Sequence, residues 1–270
     1  MKFTSRLPVA IAALMLAARL PAADASPSPG SRSDQANSKF TFVLVHGAWA
    51  GGWEWKKVDQ ALSQRGHTVH RLTLTGQGEK VHLANADIDL DTHIKDVTNV
   101  LAWEDLKNVV LVGHSYGGMV ITGVVDQMPE RFKHVIYVDA FLPENGESLD
   151  TALGRKGSER PAENGFVSLR GNQDGKPLPH TVRQSAKTFS QPIVLKNQEA
   201  ARKVPTTYIL TADKAAAPEK DGFYGHYQRA AARGWKTLIM EGDHIVHLTR
   251  TKELVHLLEQ AVEPAPAKPR

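Results

Sequence analysis

The chain contains no cysteine among its 270 residues. This absence excludes disulfide bonds, thiolate metal sites, a cysteine nucleophile and a lipid anchor on an N-terminal cysteine. It does not identify a compartment, because an oxidising compartment also tolerates a chain without cysteine. Blocks of five or more Lys and Arg residues are absent too, and the formal net charge is only +4. Nucleic-acid binding therefore has no support.

Cofactor and metal motifs are also lacking. No G-x-G-x-x-G or Walker pattern follows a predicted strand. His244 and His247 alone are too few ligands for a metal, and no carboxylate motif completes them. We therefore predict no metal and no cofactor, and expect His247 to be a surface or core residue at the start of the last helix. Five further histidines give no argument for a site: His67, His93, His134, His180 and His256.

The N-terminus has the organisation of a secretory signal peptide. Residues 1–6 are positively charged, and the apolar run at 7–18 is too short to cross a bilayer. Ala23-Asp24-Ala25 resembles an A-x-A cleavage site, which predicts a signal peptide at 1–25 and a bacterial periplasmic or secreted protein with no membrane span after cleavage. Residues 26–38 are polar and rich in Pro, Ser and Gly, so we expect a disordered spacer. Residues 264–270 are expected to form a flexible tail.

Between these ends, apolar strands alternate with helices. The strand runs are continuously apolar, which indicates a parallel sheet covered on both faces. The sequence thus predicts an α/β fold with a mostly parallel, six-stranded, doubly wound sheet, and Asp91 as the N-cap of the second helix. The predicted strands are 40–46, 68–74, 108–112, 134–139, 205–211 and 235–240, and the predicted helices 53–65, 91–106, 118–128 and 248–262.

One segment interrupts this alternation. Residues 141–203 are rich in Gly, Pro and polar side chains and have weak periodicity. A structureless loop of that length is improbable inside a compact domain. We interpret the segment as a cap inserted in a domain at 39–263, lying over the carboxyl ends of the strands, where α/β sheets place their sites. A disordered insertion is the alternative.

A glycine-flanked serine follows the third strand. The sequence GHSYG at 113–117 lies between a β-branched run and an apolar helix. Strand, G-x-S-x-G and helix form the nucleophile elbow, which exposes the serine Oγ and directs the helix N-terminus at developing negative charge. Ser115 is therefore the candidate nucleophile. Without its partners, the motif would be an ordinary strand–helix turn.

A serine nucleophile needs a general base, and the base needs an orienting acid. In this architecture the chain order is Ser, acid, His. His244 lies in the loop after the last predicted strand and is the candidate base. Asp213 follows the fifth strand and is the favoured acid. Asp139 also ends a strand, the fourth, and is the main rival, but it is less favoured because the chain enters the cap directly after it.

An oxyanion hole requires two backbone N–H groups. Tyr116, directly after the nucleophile, and Ala48, after the first strand, are the candidates, and Gly47 allows the backbone to approach closely. A small apolar pocket should lie beside them. Its candidate residues are Gly47, Trp49, Trp53, Tyr116 and Phe141, although each aromatic is also an ordinary core residue.

Four blocks of sequence together resemble the α/β-hydrolase superfamily. They are FVLVHGAWAGGWEW, VLVGHSYGGMV, YILTADKAAAP and EGDHIVHL. The resemblance is to the branch of plant methylesterases, hydroxynitrile lyases and their bacterial esterase relatives. It implies Ser115, Asp213 and His244 as the triad and Ala48 and Tyr116 as the oxyanion donors.

Two positions separate the activities of that branch. The lyases have a threonine directly after the first-strand histidine and a lysine directly after the catalytic histidine, where this chain has Gly47 and Ile245. The resemblance therefore implies a serine carboxylesterase acting on small aryl or methyl esters as its small-molecule partners. The alternatives are a cofactor-free lyase, a C–C, amide or carbamate hydrolase on the same site, and a small-molecule binding protein of low turnover.

Overall fold

The computed structural model describes residues 39–155, 162–169, 173, 175–213 and 217–263. The predicted signal peptide, spacer and tail lie outside these residues. The strands are β1 Thr41–Val45, β2 Thr68–Leu72, β3 Val109–His114, β4 Phe132–Val138, β5 Phe166–Val167, β6 Gln184–Ser185, β7 Thr206–Ala212 and β8 Lys236–Glu241. The α-helices are α1 Lys56–Gln64, α2 Leu90–Trp103, α3 Gly117–Gln127, α4 Leu149–Ala152, α5 Lys187–Ser190, α6 Gln198–Ala201, α7 Tyr224–Ala232, α8 Val246–Thr249 and α9 Thr251–Val262.

Six strands form one sheet in the order β2-β1-β3-β4-β7-β8, and all of its pairs are parallel. The chain crosses from β1 to β2 on one side and returns to β3 on the other. The loops after β1 and β3, two neighbouring strands, therefore run in opposite directions. The crevice between two such loops is where α/β sheets bind ligands. The predicted parallel six-stranded sheet is confirmed.

Helices cover both faces of the sheet. Side chains of β1 alternate between two buried clusters, with Val43 and Val45 in one and Phe42 and Leu44 in the other. The first cluster packs against α2 and α3, and the second against α1 and α9. Because both faces are covered, β3 and β7 are buried along their whole length, whereas the edge strands β2 and β8 are partly exposed.

The structure changes three local predictions. The N-cap of α2 is Asp89 rather than Asp91, because the Asp89 carboxylate accepts the backbone N–H of Thr92 at 2.8 Å. The closing helix is two helices, α8 and α9, separated at Arg250. Helix α7 was not predicted at all. Its sequence, YGHYQRAAA, has few large apolar side chains to mark a periodicity.

The predicted cap segment contains short pieces of structure: α4, the antiparallel pair β5–β6, α5 and α6. It is anchored to loops at the carboxyl ends of the strands. Trp49, after β1, donates from its backbone N–H to Gln184 Oε1 at 2.8 Å and from its indole to the Val167 carbonyl at 3.0 Å. Ser185 Oγ donates to the Ala86 carbonyl, beyond β2. The segment thus lies over the end of the sheet where sites are expected.

Among the residues that the structure describes, no helix is both long enough and apolar enough to cross a bilayer.

Candidate active site

Ser115 occupies the sharp turn between β3 and α3. Its φ is 53°, in the left-handed region that a non-glycine residue adopts only under constraint. A Cβ on Gly113 would lie 2.7 Å from Ile121 Cδ1, and a Cβ on Gly117 would lie 2.8 Å from the carbonyl oxygen of His46. Both flanking glycines are therefore required by the close approach of β3, α3 and the end of β1.

The backbone of the turn is held by two hydrogen bonds to one carbonyl. The N–H groups of Gly118 and Phe141 each donate to the Ser115 carbonyl at 3.0 Å. A Cβ on Gly118 would lie only 2.0 Å from the Phe141 carbonyl oxygen. The start of α3 is thus pressed against the chain leaving β4, and the conformation of Ser115 is fixed from both sides.

His244 lies in the loop after β8 and is bonded to a buried carboxylate. Its Nδ1 donates to Asp139 Oδ2 at 2.6 Å, and the backbone N–H of Thr211 donates to Asp139 Oδ1 at 2.9 Å. The Asp139 side chain is 1% exposed and the His244 side chain 42% exposed. Because Nδ1 carries the proton, Nε2 retains a lone pair at the accessible side of the ring, which is the form a general base requires.

This contact corrects the preference for Asp213. Asp139 follows β4 directly, its φ is 45°, and its backbone N–H donates to the Ile209 carbonyl of β7 at 2.7 Å. The chain is still tied to the sheet at this point, and the cap begins only beyond Phe141. Asp213 follows β7, and its side chain is exposed. The strand end after β4, rather than the one after β7, presents the carboxylate to His244.

His114 connects the serine turn to the His244 loop. Its Nε2 donates to the His244 carbonyl at 2.7 Å, and the two rings are 4.5 Å apart. Burial lowers the pKa of His114 well below its usual value, and the neighbouring His247 and His244 add to that shift. His114, inside the G-x-S-x-G motif, thus joins the two loops that carry the candidate nucleophile and the candidate base. No sequence pattern around a single buried histidine indicates this role.

An unpredicted aromatic residue stacks on the candidate base. The Phe223 ring lies 4.9 Å from the His244 ring at an interplanar angle of 10°, and 5.0 Å from the Phe141 ring. Phe223 is half-buried at the entry to α7. It was missed because that helix was missed.

The loop after β1 approaches the serine closely. A Cβ on Gly47 would lie 3.2 Å from Ser115 Cβ, so a larger residue would press on the candidate nucleophile. His46 orients this loop, because its Nδ1 donates to the Gly47 carbonyl at 2.7 Å while its Nε2 accepts the Leu74 N–H at 3.1 Å. Burial lowers the pKa of His46, consistent with this neutral arrangement. Ala48 follows directly and is half-buried.

The candidate pocket residues have different positions. The Trp49 and Tyr116 rings each contact Phe189 of the cap, at centroid distances of 5.4 and 5.8 Å. Phe141 lies beside Phe223, next to His244. Trp53 packs beside Gly51 in a 3₁₀ turn at 52–55.

The Tyr116 hydroxyl donates to His93 Nδ1 at 2.8 Å, and His93 Nε2 donates to the Thr75 carbonyl at 3.0 Å. Burial raises the pKa of Tyr116 well above 10 and lowers that of His93 to about 4. Both side chains are therefore neutral at pH 7. The buried Tyr116 side chain is thus joined to α2 by a hydrogen bond between two neutral groups.

Comparison with known proteins decides the family. Residues 42–257 match the alpha/beta hydrolase family. The chain belongs to this family. A carbendazim-hydrolyzing esterase from Nocardioides is 51% identical over 112 residues, which cover 42% of this chain and 46% of that protein. Methylesterase 1 from Arabidopsis thaliana is 33% identical over 127 residues, which cover 46% of this chain and 48% of the relative.

The chain thus spans about half the length of these two relatives in the aligned segments. A solved structure matches more completely. It is an extracellular α/β-hydrolase from a Paenibacillus species, with a TM-score of 0.66 and 25% identity over 82% of this chain and 98% of that one. The resemblance to plant methylesterases and their bacterial relatives is confirmed.

Proposed function

We propose that this α/β-hydrolase family member is a serine carboxylesterase that hydrolyses small esters through an acyl-enzyme. The observation that carries the proposal is the pairing of His244 with buried Asp139, next to an elbow whose serine has a left-handed backbone. In the proposed mechanism Ser115 Oγ attacks the ester carbonyl. His244 Nε2 takes the hydroxyl proton and then gives it to the leaving alcohol. Water repeats the cycle and releases the acid.

Asp139 acts in this mechanism by fixing the imidazole. Because Thr211 occupies its other oxygen, the carboxylate cannot turn away from His244 Nδ1. The buried negative charge stabilises the imidazolium that forms when His244 takes the proton. The Phe223 ring stacks on the face of the His244 imidazole and so also restricts its rotation.

The oxyanion is assigned to the backbone N–H groups of Ala48 and Tyr116. Tyr116 is the N-cap of α3, so its amide adds to the positive end of the helix dipole. The approach of Gly47 to Ser115 Cβ supports Ala48 as the second donor. One such donor contributes about 3–4 kcal/mol to transition-state stabilisation.

The substrate is proposed to be a small ester with an apolar acyl or aryl group. The surroundings supporting this are aromatic: Phe223 lies beside His244 with Phe141 against it, and Trp49 and Tyr116 contact Phe189 of the cap. A carbamate is the second candidate, favoured by the 51% identity to a carbendazim-hydrolyzing esterase over the aligned segment. Lyase activity is disfavoured by Gly47 and Ile245.

The test compares turnover of p-nitrophenyl acetate and of carbendazim, a methyl carbamate, by the wild type and Ser115→Ala. We expect wild-type hydrolysis of the acetate and a loss of about 10⁴-fold or more in the variant. A fluorophosphonate probe should label the wild type at Ser115 only, as shown by peptide mapping. Faster turnover of carbendazim would assign the carbamate instead.

Three other results would contradict the proposal. Equal rates for the wild type and Ser115→Ala would show that Ser115 is not the nucleophile. Cleavage without uptake of ¹⁸O from labelled water would indicate a lyase. Saturable binding of the ester with no burst of product would indicate a binding protein.

A further inference from the structure

A second cluster of ionisable side chains lies beside the His244 loop and plays no part in the proposed mechanism. It consists of Glu54, His114 and His247, here called the Glu–His–His cluster. One carboxylate oxygen and one ring nitrogen from each histidine all lie within 4.8 Å of one another. The Glu54 Oε2–His247 Nε2 distance is 3.5 Å, and the His114 and His247 ring centroids are 4.4 Å apart.

The three residues are buried and carry polar atoms without hydrogen-bond partners. Their exposed fractions are 8% for Glu54, 3% for His114 and 0% for His247. Among the residues that the structure describes, Glu54 Oε2, His114 Nδ1 and both ring nitrogens of His247 have no hydrogen-bond partner, and Glu54 Oε2 and His247 Nε2 make only an ion-pair contact at 3.5 Å. A buried polar atom without a hydrogen-bond partner costs about 1–3 kcal/mol, and more if charged, so four of them in one place favour a bound ligand.

The hydrogen bonding of His114 leaves it a lone pair. Its Nε2 faces the His244 carbonyl at 2.7 Å and must therefore carry the proton. Nδ1 is then an unprotonated nitrogen. A histidine that donates one ring N–H to a backbone carbonyl and offers its other nitrogen has the arrangement of a metal ligand with its outer-sphere support.

The donor set and its spacing fit a first-row divalent metal ion. Two imidazoles and one carboxylate are ligands that Zn²⁺ takes at about 2.0–2.2 Å, so two ligand atoms of a tetrahedral ion lie about 3.4 Å apart. The 3.5 Å separation of Glu54 and His247 already has this value. The wider pairs would have to close by up to about 1.4 Å from the 4.8 Å limit when the ion binds.

The ligands come from three separate parts of the fold. Glu54 lies in the 3₁₀ turn after β1, His114 ends β3, and His247 lies in α8, three residues after His244. The Trp55 ring covers His247 at a centroid distance of 5.0 Å. The Glu54 side chain is 11% exposed, while its Oε2 atom and the ring nitrogens of His247 are buried. A tetrahedral ion held by these three side chains would take one further ligand, such as a water.

We propose that Glu54, His114 and His247 bind a divalent transition-metal ion, with Zn²⁺ as the probe ion. The ion is structural: it joins the turn after β1, the strand that ends at the candidate nucleophile, and the helix that follows the candidate base. The sequence did not reveal the site, because its three ligands are about 60 and 130 residues apart along the chain and form no spacing motif.

The test measures metal binding directly on the cysteine-free chain, purified without a histidine tag. Chelator-treated protein is loaded with Zn²⁺, dialysed and analysed for metal by mass spectrometry. We expect about one Zn²⁺ per chain and, with Co²⁺, the visible absorption bands of a tetrahedral N/O site. At 100 times the dissociation constant, Zn²⁺ should raise the melting temperature by about 5–10 °C.

Matched variants locate the ion. Glu54→Gln and His247→Gln should each lose the bound metal and the thermal shift, while His134→Gln, which changes a histidine bonded to Thr207 elsewhere in the sheet, should keep both. Ser115→Ala should also keep the ion, which separates this site from the proposed catalytic one. In crystals soaked with Zn²⁺, an anomalous peak should lie within about 2.2 Å of the three ligand atoms.

Fewer than about 0.1 Zn²⁺ per wild-type chain after loading would overturn the proposal, since binding to an intact site must approach one ion per chain. So would an anomalous peak elsewhere, or equal metal content in the wild type and a folded His247→Gln. The wild-type stoichiometry is decisive even where a variant fails to fold.

Discussion

At the residue scale, the two oxygens of Asp139 have separate partners. Oδ1 accepts the Thr211 N–H and Oδ2 accepts His244 Nδ1, so the carboxylate is both buried and directional. An amide at this position keeps the shape but, in one orientation, donates an N–H hydrogen bond to His244 Nδ1, and it loses the charge that stabilises the imidazolium. The tautomer of His244 therefore depends on Asp139.

We expect Asp139→Asn to lower kcat for p-nitrophenyl acetate by about 10³–10⁴-fold with little change in KM. The matched control is Asp213→Asn, which removes a charge of the same kind from the end of the adjacent strand β7. Its kcat should stay within about twofold of the wild type, since its side chain is exposed. Initial rates over a range of substrate concentrations measure both effects.

The reverse pattern, with Asp213→Asn inactive and Asp139→Asn active, would return the acid role to Asp213. It would also mean that the bond from His244 to Asp139 has no part in turnover. Circular dichroism of both variants excludes loss of fold as the cause of a low rate.

The sequence indicated Ser115 and His244 from local patterns, the G-x-S-x-G turn and the loop after the last strand. It could not choose the acid, because β4 and β7 are neighbours in the sheet and each is followed directly by an aspartate. The choice depends on the backbone turn at Asp139, with φ 45°, and on the N–H of Thr211. Neither is visible in the residue types, and Phe223 likewise becomes apparent only from three-dimensional contact.

At the scale of elements, α3 and the chain leaving β4 are in closest contact at Gly118. The sequence predicted the order of strands and helices well, since buried parallel strands are continuously apolar and the helices beside them amphipathic. It missed α7, whose last turn is mostly alanine. Contacts between elements, such as the one at Gly118, depend on tertiary packing. Helix and strand propensities along the sequence do not predict them.

Two glycine substitutions should change stability in opposite directions. Gly118→Ala places a Cβ 2.0 Å from the Phe141 carbonyl and should destabilise the fold by about 3 kcal/mol, because backbone cannot move aside. Gly225→Ala, in exposed α7 with no atom within 4 Å of the new Cβ, should stabilise it by about 0.5–1 kcal/mol. Urea unfolding midpoints measure both values, and a Gly118→Ala protein as stable as the wild type would contradict the close contact.

The bond between α2 and α3 through His93 and Tyr116 predicts a pH dependence. Burial lowers the pKa of His93 from 6.5 to about 4, so the unfolded chain takes up a proton before the folded chain does. The stability contributed by neutral His93 is complete above about pH 6.5 and is lost as the pH falls toward 4. The loss amounts to about 3 kcal/mol for this residue.

His93→Gln should therefore be less stable than the wild type at pH 7.5 but lose less stability between pH 6.5 and 4. The measurement is the free energy of unfolding in urea at half-unit pH intervals. His256→Gln, on the exposed side of α9, is the control and should keep the wild-type slope. Parallel slopes for the wild type and His93→Gln would show that His93 does not titrate as its burial requires.

At the scale of the whole molecule, the sheet gathers every element of the candidate site at one end. The loops after β1, β3, β4 and β8 supply Gly47, Ser115, Asp139 and His244, and the cap contacts the same end through Trp49. The parallel order was predictable because strands separated by helices pair in this way. The cap's contacts were not, since its short helices and two-residue strands lack a periodic pattern.

The N-terminal prediction can be tested on the whole chain. The first strand begins at Thr41, sixteen positions after Ala25, so cleavage before Ser26 leaves the fold intact. Expressed in a bacterial host, the full chain should appear in the periplasmic fraction with Ser26 as its first residue. N-terminal sequencing and intact mass measure this directly, and a cytoplasmic protein that retains Met1 would contradict it.

A variant lacking residues 2–25 should remain in the cytoplasm with the activity and melting temperature of the exported protein. The reason is the absence of cysteine, since a fold without disulfides does not depend on an oxidising compartment. An exported protein stapled by disulfides would lose stability in the same experiment. Export changes the supply of metal ions but no covalent bond of the mature chain. If the cytoplasmic variant is inactive, its Zn²⁺ content should therefore be compared with that of the exported protein. A lower content would show that the compartment affects activity through the Glu–His–His cluster.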